Sequence, residues 1–138
     1  MIPRIACLLT ALSTILLLVS LAAAQNNQAA RDAAMQWVKL IDEGNYAESW
    51  EKAAPAFKES ISKEEWVKSL EAVRKPLGQV QSRNLRSSAE TTSLPDAPEG
   101  EYLVMEFDTS YQNNPSAIET ITATQIDGNW RIAGYYIR

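Results

Sequence analysis

The chain reads as an α+β domain, with three N-terminal helices packed on a four-stranded antiparallel sheet, and two observations lead there. Apolar residues recur at helical spacing as far as Leu77, whereas beyond Gly78 they alternate with polar ones in a stretch rich in Thr, Val, Ile and Tyr. Asp127-Gly128, set between two alternating runs, then reads as a hairpin turn, which makes the last two strands antiparallel neighbours. With 138 residues there is room for one such domain, at 25–138, behind an N-terminal address at 1–24.

The address has the three parts of a secretory signal peptide. Arg4 supplies a basic start, residues 5–21 an apolar stretch, and Ala22-Ala23-Ala24 the small residues after which a signal peptidase cuts. Thr10, Ser13 and Thr14 interrupt the apolar run and no basic cluster follows it, so cleavage after Ala24 fits better than a membrane anchor. The expected product begins at Gln25, is periplasmic or secreted with no stable membrane insertion, and has lost Cys7, the one cysteine. With no disulfide to restrain its unfolded state, it depends on its core.

In the first helix, expected over 25–43, Ala30, Ala34, Trp37 and Ile41 fall on one stripe with charged residues opposite. Gly44 suits the left-handed residue that closes it, and Asn45, with Glu48 three residues on, suits the N-cap of a second helix. Tyr46, Trp50 and Ala53 form that helix's inner face, and Pro55 ends it for want of an N–H. Ser62 and Glu65 form a capping box that opens a third helix at Lys63, with Trp66, Leu70, Val73 and Leu77 inward and a break at Pro76. Strands follow at 79–92, 101–111, 116–126 and 129–137, separated by a Pro-rich loop at 94–100 and a turn at 112–115. A two-residue turn at Asp127-Gly128 puts Trp130, Ile132 and Tyr136 on the inner face, with Glu119 opposite Tyr136. Arg131 and Tyr135 then lie on a Thr-rich outer face.

With no His, and Cys only in the address, zinc and copper sites of the usual kind and Ser-His or Cys-His nucleophiles are excluded for 25–138. No glycine-rich phosphate loop is present, so no cofactor and no metal is expected. A net charge of -4 argues against nucleic acid as a partner. What remains is a set of carboxylates, tyrosines, arginines and tryptophans. Glu119 on the apolar face of the sheet would have its pKa raised unless Arg83 or Arg74 pairs with it. Trp37, Trp50 and Trp66, on inner helix faces, either floor a pocket with Glu119, Tyr136 and Arg83 or simply pack the core. Two functions follow: a non-enzymatic module that binds a protein or a small ligand, or a small isomerase or lyase using the Glu119 and Tyr136 pair. No catalytic residue is assigned.

Trp37-x-x-x-Ile41-Asp42-x-Gly44-x-Tyr46-x-x-x-Trp50, then Phe57-Lys58, Trp66, Pro76-Leu77-Gly78 with Arg83, and the closing run from Asp127 through Trp130 to Tyr135 resemble the secreted bacterial family called domain of unknown function 4019. The layout resembles the nuclear-transport-factor-2-like, or cystatin-like, fold, in which a curved sheet wraps helices and can leave a conical cavity. The resemblance implies bacterial export and that fold. Since the family has no assigned activity, it carries no catalytic residue to this chain. By analogy with the fold alone, isomerases that use an acid and a tyrosine in the cone favour the Glu119 and Tyr136 reading, and pairing of sheets into a homodimer would place Tyr135 at the interface.

Overall fold

The computed structural model describes residues 8–138, and side-chain surroundings from residue 18 onward. Arg4, Cys7 and the start of the expected signal peptide lie outside the described residues. Four helices, α1 (Leu8–Asp42), α2 (Tyr46–Glu51), α3 (Pro55–Ser60) and α4 (Lys63–Leu77), precede four strands, β1 (Val80–Thr91), β2 (Tyr102–Tyr111), β3 (Asn114–Ile126) and β4 (Asn129–Ile137). The strands form one antiparallel meander in the order β1-β2-β3-β4.

Helix α1 passes without interruption through the expected junction at Ala24 and Gln25. Its stripe of Ala30, Ala34, Trp37, Val38 and Ile41 is buried, packed with Leu103, Met105, Phe107, Ile121, Ala123 and Ile132 from the sheet. Among the described residues no helix is long and apolar enough to cross a membrane. The C-terminus of α1 closes in a Schellman motif. Gly44, at φ +80°, donates to Ile41, and Asn45 donates to the Leu40 carbonyl. That closure overrides the capping role expected of Asn45: held at ψ 55°, it lacks the extended geometry of an N-cap, and its side chain makes no cap bond.

Pro55 does more than end a helix. It occupies the first turn of α3, where its missing N–H costs nothing, so the structure has four helices where three were expected. Ala54, the residue before it, donates its backbone N–H to the Ile132 carbonyl and covers part of the free edge of β4. The capping box of Ser62 and Glu65 forms as expected at the start of α4. The inner stripe of α4 is Trp66, Leu70 and Arg74, however, and the expected Val73 is 46% exposed. An i, i+4, i+8 stripe drifts away from the i+7 position, and Arg74 takes the buried place because it finds partners there. Pro76 does not break α4 before Leu77. The Asn113 side chain and backbone N–H donate to the carbonyls of Pro76 and Leu77, so the β2–β3 turn satisfies the helix end.

At the last hairpin, Asp127 and Gly128 both have positive φ, 51° and 78°, as a two-residue type I′ turn requires. Gln125 pairs with Trp130, Thr124 with Arg131 and Ala123 with Ile132, the expected register. Beyond them the register shifts, because Ala133 is an extra residue and Thr122 pairs with Gly134. From there the faces exchange. Ile121 lies opposite Tyr135, and Glu119 opposite Ile137 rather than Tyr136. A second irregularity, between Thr109 and Tyr111 of β2, gives Pro115 a place in β3 where no ladder bond is lost, so that strand starts at Asn114 rather than at residue 116.

Candidate functional site

Beside the C-terminus of α1, five side chains from five elements close a ring of hydrogen bonds. Glu119 of β3 is fully buried. Its Oε1 accepts from Arg83 Nε at 2.7 Å and Thr109 Oγ1 at 2.6 Å. Its Oε2 accepts from Arg83 Nη2 at 3.3 Å and from the Tyr135 hydroxyl. Arg83 of β1 then turns to Asp42, the last residue of α1, with Nη1 at 2.8 Å from Oδ2 and Nη2 at 3.0 Å from Oδ1. Arg74 of α4 reaches the same Asp42 Oδ1 at 2.8 Å and donates to the Tyr135 hydroxyl at 3.4 Å, which completes the circuit. Buried Tyr111 lies under the Arg74 guanidinium, 5.0 Å from ring centroid to Cζ, and its hydroxyl makes no hydrogen bond.

Two arginines balance two carboxylates, so the ring is neutral, and its charges tune one another. Burial opposes ionisation of Glu119, but the bond and charge of Arg83, with donors from Thr109 and Tyr135, outweigh it and hold the carboxyl below its ordinary range. Asp42 is lowered likewise: burial opposes, and the bonds from Arg83 and Arg74 prevail. Burial drives the Tyr135 phenol well above its usual value, and the neighbouring Glu119 charge adds to that. The downward shift makes the carboxylate a weaker base, and the upward shift makes the phenol a weaker acid. With its acceptor positions taken by three donors, Glu119 ties β3 to β1, β2 and β4.

The six residues nominated from sequence therefore divide. Arg83 and Glu119 meet in the ring. Trp37 and Trp66 are buried nearby, centroids 6.1 Å apart, with Phe57 edge-on to Trp66 at 4.8 Å and Tyr135 edge-on to Trp37 at 5.6 Å. Both indole N–H groups are spent on Ser49, that of Trp37 on the carbonyl and that of Trp66 on the hydroxyl, and the rings fill the space between helices and sheet. Trp50 lies apart from the ring, half-buried, donating to the Ile61 carbonyl. Tyr136 is 62% exposed, and the inward tyrosine is Tyr135. The bulge at Ala133 is the physical reason for that exchange. Arg74, the other cation the sequence offered to Glu119, bonds Asp42 and Tyr135 instead, and the sequence did not place Thr109 or Asp42 at this site. Arg74 had a signal, since it continues the i, i+4 series of Trp66 and Leu70; Thr109 had none beyond its place in an alternating strand.

Two of the molecule's surface depressions lie on either side of half-buried Trp130. One depression of about 440 Å³ runs between α1 and β4, floored by Trp37, Leu40 and Ile132 and rimmed by Lys52 and Arg131. Another of about 440 Å³ lies at the head of the folded body, among Asn26, Asn27, Glu90, Glu101 and Tyr102. Among the described residues no group of His, Cys, Asp or Glu is arranged to hold a metal ion.

No curated protein matches the chain. The family described as "Protein of unknown function (DUF4019)" matches residues 33–135, a span that includes every member of the ring and the whole of β1, β2 and β3, and the chain belongs to that family.

Proposed function

We propose that this chain is an exported, non-enzymatic binding module, of nuclear-transport-factor-2-like (cystatin-like) fold, and that its ligand or partner protein docks beside Trp130 rather than inside the cone. The observation that carries this reading is the setting of Glu119: fully buried and engaged by Arg83, Thr109 and Tyr135. An isomerase or lyase needs an acid or base that meets substrate, and here that group is consumed by the fold. The α1–β4 depression has what a binding site needs, an apolar floor with a few polar groups at its rim.

Export is supported by how α1 meets the body. Residues 18–25 are exposed at every position, more than two turns of helix, including Leu18, Val19 and Leu21. At Asn26 the helix is tied down: its Oδ1 accepts from Gln125 Nε2 at 2.9 Å and from Trp130 Nε1 at 3.2 Å. Cleavage after Ala24 would thus leave the folded body whole.

Native mass spectrometry of the protein taken from its exported compartment tests the reading. A bound small molecule or partner is expected, and Arg131→Glu, on an exposed rim position, should release it without unfolding the chain. Turnover of a substrate that Glu119→Gln abolishes in a still-folded protein would overturn it.

A further inference from the structure

We propose that Gln25, once it is the first residue, closes on itself to pyroglutamate, so that the exported chain begins in a neutral lactam. The inference rests on cleavage after Ala24, proposed above. The α-amine nitrogen attacks Cδ of its own side-chain amide. The N–Cδ bond forms, the Cδ–Nε2 bond breaks, and a proton passes from the attacking nitrogen to the departing one, which leaves as ammonia. Neither an oxidant nor a cofactor is needed.

The fold leaves this residue, and only this residue of the cut chain, in a position to react. Gln25 is exposed, so water reaches both reacting groups. The next residues are tied to the folded body: Asn26 is held by Gln125 and Trp130, and Asn27 donates to Glu90 Oε1 at 2.5 Å. Removal of the leader also removes the carbonyls to which the first N–H groups of the shortened helix had been bonded, so ring closure at Gln25 breaks no helical hydrogen bond. An ammonium there faces the positive end of the helix dipole. That favours the uncharged amine, which is the nucleophile, and the lactam then removes the repulsion altogether. The five-membered ring sits where a proline is well accepted, at the start of the first turn. The competing arrangement is a charged terminus retained by Glu90 and Glu101, which line the depression beside this helix head.

Intact-mass measurement and Edman degradation of freshly exported protein decide between them. The expected product is chain 25–138 lighter by one ammonia, blocked to Edman chemistry and opened by pyroglutamyl aminopeptidase, while Gln25→Ser gives the full mass and a free amine. Chain 25–138 at full mass with an amine that can be labelled would overturn cyclisation and leave the export reading standing. An uncut chain would overturn both, and one starting at another residue would overturn cyclisation and the cut after Ala24.

Discussion

Arg83 is the residue on which most depends, because it alone touches both carboxylates of the ring. Arg83→Leu leaves Glu119 buried and charged without its cation, and a loss of about 3–5 kcal/mol in denaturant unfolding is expected. Glu119→Gln keeps the shape and removes the charge, so its cost should be smaller, about 1–3 kcal/mol. The pH dependence follows from the same pairings. Both carboxyls are held below their ordinary values of 3.8 for Asp42 and 4.5 for Glu119, so in acid the unfolded chain takes up protons before the folded one does. Their stabilisation is complete above pH about 4.5 and is lost as pH falls through the lowered folded values. Denaturation midpoints measured against pH should fall steeply there in the wild type and less steeply in Glu119→Gln. Of this site the sequence disclosed that Glu119, a carboxylate on an apolar face, calls for a cation from Arg83 or Arg74, and the structure supplies Arg83. It did not disclose Tyr135, since a tyrosine pair on an alternating strand reads either way until the bulge is known.

At the scale of elements, what was legible followed from local chemistry. The capping box at Ser62 and the Asp127-Gly128 turn are decided by residues within one turn of each other, and both form as read. Helix α3, the length of α4 and the exchange of faces at Ala133 were not legible, because each is settled by a distant partner: Ile132 for Ala54, Asn113 for the end of α4, Thr122 and Gly134 across the bulge. The part of β4 before the bulge gives a direct test of its face assignment. Trp130 is half-buried and bonded to Asn26, so Trp130→Ala should cost about 2–3 kcal/mol, less than a fully buried tryptophan. Arg131, its exposed neighbour, should tolerate alanine within about 0.5 kcal/mol. Thermal or urea unfolding of the two variants checks the contrast, and equal losses would place Arg131 in a buried interaction.

Across the whole molecule the ring links parts of the chain that are far apart in sequence. Asp42 and Arg83 are separated by 41 positions, Arg83 and Glu119 by 36, and Arg74 and Tyr135 by 61. Loops of that length must lose their entropy before the contacts repay it, so the ring closes late in folding, after the helices and the local hairpin. Its members are then absent from the transition state. Stopped-flow measurements on Arg83→Leu should show a folding rate close to wild type and an unfolding limb raised by nearly the whole loss of stability. The ring thereby governs a rate of opening rather than a route of assembly, and the time for which the chain withstands proteolysis by slow global opening is set at these five side chains.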